Sequence, residues 1–501
     1  MNNAANPWRT AFFLLLALVA VSFVSVDPPD KDDALATGPT GQLSQAGDDA
    51  GALGGDGTIE GGTDGTSAGG SGGGTGPGAA GAAAGPKAQA KAVGNLECKA
   101  GRNGGATDKG VSATRIKLAS TNVRSGTGSS FLGSAYIGMQ AVVNRVNAKG
   151  GICGRLLDLR MVDDGWKAAE GAGFLENFSK QDYFALPVVP SSEGLTQAIT
   201  TNIIAKAGIP VVGSDGMLKE QYSDPWVWPV ATATVSTMRV MAKHAFDQGA
   251  KTFAIVYDSQ YNFGKEGAKA FRDYVGTLPG TTFKAYQPIT PGKSSYATEV
   301  QTFVDACPGG CDFVAMLLTP ETANTYINSQ KEDSAGKKPG FGKMLTGGAQ
   351  PLFNERFARD CGRACDGMLV WTGYNPPIGR LASEADVAAY VDDVQSVDPG
   401  VDETNQFLQG SYLGMKVFVA ALEKVGPNLT RAALRDALNS MTYQSTLASP
   451  LTWGPQVPQQ RFANLSAQAF KITTASGSFV GFAEANTGFL RDPTPGVVPK
   501  D

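Results

Sequence analysis

Histidine is nearly absent: the 501 residues contain one, His244. That all but excludes histidine-based zinc sites, and a serine triad would have to rest on this single side chain. It follows Met238 to Lys243 on an expected helix and reads as a satisfied surface or boundary histidine. No G-x-S-x-G elbow, H-E-x-x-H pair or Walker loop occurs, so the chain is expected to be neither an enzyme nor a cofactor carrier. Lysine and arginine, 42 against 46 acidic residues, are scattered and leave no basic stripe, so no nucleic-acid partner is expected. No cysteine precedes Cys98, which removes lipid anchoring through a cysteine near the N-terminus. Between Gly38 and Gly85 large apolar side chains almost vanish, and such a segment cannot offset its own ordering entropy. Its Gly-Gly-Ser-Gly-Gly-Gly run has no strand before it and no helix after it, so it reads as a flexible tether and not as a phosphate loop.

What is present begins with Arg9, sixteen mostly apolar residues from Ala11 to Val26, and the acidic Asp27 to Asp33. A cation before and carboxylates after orient the segment with its start inside the cell. Its helical length of about 24 Å falls short of the roughly 30 Å hydrocarbon core, which favours a signal peptide. The nearest small-x-small site, Ala34-Leu35-Ala36, lies far past the apolar run, which favours an uncleaved membrane anchor. Residues 1–36 are therefore a signal peptide or an anchor, residues 37–95 a tether, and the remainder is extracytoplasmic. In that oxidising setting the six cysteines are expected to form disulfides. Cys307 with Cys311, and Cys361 with Cys365, each lie in a turn before an apolar strand and suit local bridges. Cys98 and Cys153 then pair with each other. The alternative, a metal held by the two C-x3-C turns, needs four ligands to converge.

At 18% charged and 42% hydrophobic residues, the chain can bury at least two cores of ordinary size. Phe131, Leu132, Ala135, Met139, Val142, Val143 and Val146 recur at helical spacing, behind a cap from Ser129 or Ser130. Gly150 and Gly151 stop that helix, and Leu157, Leu159 and Met161 alternate as a half-buried strand does. With the strand at 116–119 this is a β-α-β unit, the start of a parallel sheet. Strands and helices keep alternating: a helix over 168–178, a strand over 184–189, a helix over 194–207, a strand over 210–213. Asp224-Pro225-Trp226-Val227-Trp228-Pro229 breaks the rhythm. A second set follows, with strands over 252–257, 282–286 and 313–318 and helices over 236–248, 265–275 and 296–306. The fold class expected is α/β, with two doubly wound lobes.

The run Asn147-Ala-Lys-Gly-Gly-Ile-Cys-Gly-Arg155 followed by a strand ending Asp163-Asp164 resembles the leucine/isoleucine/valine-binding family of extracytoplasmic solute-binding proteins. Further matching pieces, in the family's order, are Val111 to Ala119, Ala207 to Val212, Phe253 to Asp258 with Tyr261 and Gly264, and Leu451 to Gly454. The resemblance runs from about Gly110 to Asp492. It implies the type I periplasmic-binding fold, a ligand cleft between the lobes and a three-segment hinge near 231–234, 374–377 and 449–452. The first lobe then takes 96–231 and 376–449, with helices over 403–422 and 431–441. The second takes 232–375 and 450–492, closed by strands over 470–473 and 479–482, and 493–501 is a tail.

Ligands of open α/β sheets lie beyond the carboxyl ends of the strands, which selects Asn122, Ser214, Asp215, Glu321 and Gln350 as candidates. By resemblance, Ser191 or Ser192 holds an amino-acid carboxylate, Tyr261 faces it from the second lobe and Phe131 covers it. Each serine reads equally as a helix cap, and each aromatic as hinge-side core. Two departures matter: Ser214-Asp215-Gly216 stands where the family has a small-small-Thr turn, and Gly347 to Pro351 lacks the glutamate that meets an ammonium. Asp215 either replaces that carboxylate or caps the next helix. Branched-chain amino acids are thus not favoured. The expected function is capture of a small polar solute, of amino-acid, amide, urea or carboxylate type, by a monomer that delivers it to an ABC transporter permease. The alternative is a membrane-tethered sensing ectodomain.

Overall fold

The computed structural model describes residues 96–215, 217–330, 345–454 and 462–496. The signal or anchor expected at 1–36, the tether and the end of the tail lie outside them. In the first lobe, β1 (Arg115–Asn122) pairs in parallel with β2 (Leu156–Asp163), Arg115 opposite Leu156 and Asn122 opposite Asp163. A bridge from Leu118 to Ala185 leads to β3 (Leu186–Pro187), and β4 (Val211–Val212) and β5 (Val227–Trp228) follow in parallel. Parallel pairing needs crossovers, here α1 (Ser129–Leu132) with α2 (Ala135–Ala148), α3 (Ala168–Lys180), α4 (Ser192–Thr200) with α5 (Ile203–Ala207), and α6 (Lys219–Ser223).

The second lobe carries an eight-stranded sheet. β6 (Thr252–Asp258), β7 (Thr282–Ile289), β8 (Phe313–Leu317), β9 (Leu345–Gly348) and β10 (Leu369–Thr372) are parallel, in the order β10-β9-β8-β6-β7. Helices α7 (Thr234–Asp247), α8 (Asn262–Val275), α9 (Ala297–Ala306), α10 (Pro320–Asn328) and α11 (Glu355–Cys361) cover it. The chain then returns to the first lobe as α12 (Ala385–Gln395), α13 (Gln406–Val425), α14 (Arg431–Ser440) and the hairpin of β11 (Thr442–Ser445) and β12 (Ala448–Thr452). Finally β13 (Ser466–Ala475) adds antiparallel to β10, and β14 (Ser478–Glu484) and β15 (Leu490–Arg491) add to β13.

Several expectations shift. The stripe beginning at Phe131 is two helices, broken between Leu132 and Ala135, so Phe131 and Leu132 pack with second-lobe side chains while Met139, Val142 and Val143 enter the first lobe's core. Neither Ser129 nor Ser130 caps; Gly128 takes that position. The helix over 194–207 is interrupted by Asn202 in the left-handed region at φ 58°. The strand over 184–189 shrinks to two residues ahead of Val188, which has φ 46°. The apparent break at 224–229 contains β5. The third crossing does not lie at 449–452, because β12 pairs with β11, and the Trp453 indole Nε1 donates to Pro229 O at 2.7 Å.

Disulfides join Cys98 to Cys153, Cys307 to Cys311 and Cys361 to Cys365. Beside the first lies Arg155, the last residue of the glycine-rich motif, fully buried. Its guanidinium donates to Ser112 O at 2.8 Å, Pro427 O at 3.1 Å and Gly105 O at 3.0 Å, and to Asn103 O. The motif therefore ties the N-terminal segment to the loop between α13 and α14. Helix α13 approaches β4 closely at one point: a Cβ on Gly213, which has φ 86°, would stand 2.5 Å from Gly414 Cα. This contact seats the middle of α13 against the loop after β4.

Candidate ligand cleft

The hinge and the cleft are built from neighbouring residues. Thr232 bridges Asn464 in parallel, and Tyr374 bridges Ala448 antiparallel. Thr232 Oγ1 donates to Ser466 O at 2.6 Å, Asn464 Nδ2 to Gly373 O at 3.0 Å, and Gln468 Nε2 to Tyr374 O at 2.7 Å. Against these segments lies a cavity of about 430 Å³ counting its open mouth, whose free interior has room for little more than a water molecule. Its walls come from both lobes: Val188, Pro190, Asp215 and Met217 from the first, Gln350 from the second, and Phe407 and Ser411 from α13.

Of the sequence candidates, Asp215 and Gln350 line this cavity. Asp215 does not cap α6, whose cap position is Leu218; its Oδ1 accepts from Met217 N at 3.4 Å, an Asx-type turn. Gln350 is 4% exposed, and its Nε2 donates to Thr232 O at 3.1 Å and Thr237 Oγ1 at 2.8 Å. A carbonyl can only accept, so this pairing fixes the amide's orientation and leaves Oε1, buried and without a partner, on the other side.

Gln406, which the sequence reading missed, is also 4% exposed with Oε1 buried and unpartnered. It opens α13 behind Asn405, whose side chain caps the amides of Phe407 and Leu408. Tyr374 was read as hinge but also lines the cavity. Burial, with Asp215 adding to it, pushes its phenol pKa up, so it stays protonated. Gly410 leaves room for it, since a Cβ there would stand 2.6 Å from the Tyr374 hydroxyl.

The other candidates fall outside the lining. Ser191 and Ser192 are buried at the start of α4; Ser191 makes no cap bond and its Oγ has no partner. Ser214 and Asn122 are buried too, with Ser214 Oγ and Asn122 Oδ1 unpartnered. Glu321 is exposed on the first turn of α10, in a separate depression that it lines with Asn324, Arg356 and Ser130 of the first lobe, while Pro320 beside it is buried. Phe131 packs on Phe407 at 5.3 Å and so stands behind a cavity residue.

Phe131 belongs instead to an aromatic seam between the lobes, centred on Trp166. That ring meets Phe131 at 5.3 Å, Tyr261 at 4.3 Å and Phe263 at 6.1 Å. Trp166 is 7% exposed, has φ 62°, and its indole N–H is buried without an acceptor. Polar clasps flank the seam. Glu193 accepts from Asn262 N at 3.0 Å and Asn262 Nδ2 at 2.8 Å. Glu266 accepts from Lys219 N at 3.2 Å and the Tyr222 hydroxyl at 2.8 Å. The structure is thus a closed arrangement.

The periplasmic binding protein family model matches residues 115–468. The chain belongs to that family. The family is one of ligand-binding proteins, and membership implies a location outside the cytoplasm. Similar solved structures include a fatty acid ABC transporter substrate-binding protein from Thermomonospora curvata, 17% identical with a TM-score of 0.63, covering 77% of this chain and 95% of that one. A leucine-binding protein from Thermotoga maritima is 16% identical with a TM-score of 0.60, covering 74% and 99%. A branched-chain amino acid transporter binding protein from Streptococcus pneumoniae, solved with isoleucine, is 15% identical with a TM-score of 0.60, covering 75% and 100%. At such identities the likeness shows the type I periplasmic-binding fold alone. No curated protein matches the chain in sequence. No helix among the described residues is long and apolar enough to cross a membrane.

Two buried carboxyls, Glu266 of the clasp and Asp258 at the end of β6, are expected to make stability depend on pH. Burial lifts the Glu266 carboxyl to about 7 against the opposing bonds from Tyr222 and Lys219, and lifts Asp258 to about 7 against the Thr319 amide. Both carboxyls hold a proton in the folded chain at a pH where, exposed to water in the unfolded chain, they would lose it. Their contribution is therefore full below about pH 4 and is lost as pH rises through about 7. The melting temperature at pH 5 should exceed that at pH 7.5, and Glu266→Gln, uncharged at both, should flatten the difference. An unchanged pH profile in that variant would remove Glu266 from the account.

Proposed function

We propose that the protein captures a small solute between its lobes and presents the closed form to an ABC transporter permease. The observation that carries this reading is the cavity itself, walled by strand ends of both lobes and set against the crossing segments of the hinge. A solute there touches both lobes only when they are closed, so it stabilises that state, and a permease that recognises the closed form reads its occupancy. The solved relatives named for fatty acid, leucine and branched-chain amino acid transport support the transport role. The first 95 residues, read as leader or anchor plus tether, would place the binding head near that permease.

A thermal-shift screen of the purified protein against amides, amines, amino acids, ureas, carboxylates and sugars tests the reading. A solute at 100 times its Kd should add about 2.7 kcal/mol of stability. Binding should disappear when the cavity is filled by Gly410→Leu. A solute whose affinity survives that substitution does not use this cavity.

A further inference from the structure

The cavity's polar groups are unevenly matched. Acceptors dominate: Gln350 Oε1, held in place by the Thr232 carbonyl on the far side of its amide, Gln406 Oε1, and the Asp215 carboxylate in the opposite wall. The two glutamine oxygens are buried without partners, and a buried acceptor is costly to leave unpaired. The Tyr374 hydroxyl, kept protonated by burial, supplies a donor. No lysine, arginine or histidine occurs among the described residues of the lining. A carboxylate entering this space would lose its hydration against the two glutamine oxygens, with no cation among the described lining residues to meet it. The serines at the start of α4, the place where the family resemblance would put a carboxylate, are not part of the lining.

From this arrangement we infer that the solute carries an N–H-bearing head, a carboxamide or a protonated amine, on a compact apolar body, and that it is not a carboxylate. This rests on the reading of the cavity as the solute site. The N–H groups meet Gln350, Gln406 and Asp215, and an amide's carbonyl accepts from Tyr374. Val188, Met217, Ala231 and Phe407 enclose the body. The free interior has room for little more than a water molecule, so even this compact body is seated only as the lobes part slightly, and a bulkier one would hold them open.

The test uses the full chain and matched compounds that share one branched skeleton: isovaleramide, isopentylamine, isovalerate and leucine, followed by calorimetry at pH 7. The amide or the amine should bind at least about ten-fold more tightly than isovalerate, the equivalent of one charge-assisted hydrogen bond. Asp215→Asn should weaken the amine more than the amide. Gln406→Leu should weaken both about ten-fold, and it leaves the hinge bond of Gln350 intact. Isovalerate or leucine binding as tightly as the amide overturns the inference while leaving solute capture standing. If none of the four binds, nor any member of the wider screen, the cavity reading and this inference fall together.

Discussion

Replacing Arg155 by methionine should lower the unfolding free energy by about 3 to 5 kcal/mol, because each stranded carbonyl costs about 1 to 3 kcal/mol before water relieves part of it. Four carbonyls lose their donor at once, those of Ser112, Pro427, Asn103 and Gly105. Methionine fills much of the same volume but offers no hydrogen. Arg155→Lys keeps a charge but not the planar fork, and should fall between the two. The adjacent Cys98–Cys153 bridge closes a separation of 55 residues, worth about 4 kcal/mol by loop entropy. Reduction and Arg155→Met should therefore be less than additive, since each loosens the same segment. Urea denaturation measures both. Solute affinity should hold, because Arg155 lies outside the cavity lining. An unshifted urea midpoint in the methionine variant would show that those carbonyls find other donors.

Trp166→Ala should open the molecule. Removing a large buried ring takes about 2 to 3 kcal/mol from the closed state, which lowers the closed-to-open ratio roughly 30- to 150-fold. Small-angle scattering should then show a larger radius of gyration without solute, and affinity should fall with the closed fraction. Trp166→Gly separates seam from backbone. The left-handed φ of 62° costs a non-glycine residue on the order of 1 to 2 kcal/mol, and glycine relieves it. The glycine variant should thus melt higher than the alanine variant while remaining as open. If the alanine variant scatters like the wild type, the clasps of Glu193 and Glu266 hold the lobes unaided.

The parts legible in the sequence are those with a local cause. The helix ending at Gly150 and the strand after it follow from a glycine stop and from alternation, and β6, β8, α7 and α8 follow from periodicity. Strands β3, β4 and β5 are two residues each, too short for any period, and exist because neighbouring strands present a ladder to them. Asp215 and Gln350, chosen because strand ends fix where a cleft must be, line the hinge cavity. Gln406 was missed because the helix was expected to begin at Glu403, which hid Asn405 as its cap and so hid the helix start that faces the cavity. Trp166 carries no sequence signal for its role, since a left-handed backbone and a partner in the other lobe arise only in the folded chain. Glu321, expected in the cleft from its position after a strand, lines a depression shared with Ser130 and not the hinge cavity, because the direction of a side chain on a first helical turn depends on which neighbour is buried.

The hinge has a consequence for how the chain comes to be folded. Because it is crossed repeatedly, neither lobe is a continuous stretch of polypeptide. The first core joins Leu118 and Val142 with Leu408, Phe418, Leu438 and Trp453, and the second sheet gains β13 only near the C-terminus. A nascent chain emerging N-terminus first can form its early β-α-β units but cannot bury either core until the later helices and strands arrive. Loop closure over such separations is costly and slows the search. Neither core can therefore be completed until most of the polypeptide has emerged, a delay well suited to a chain that must thread a membrane before it acquires its shape.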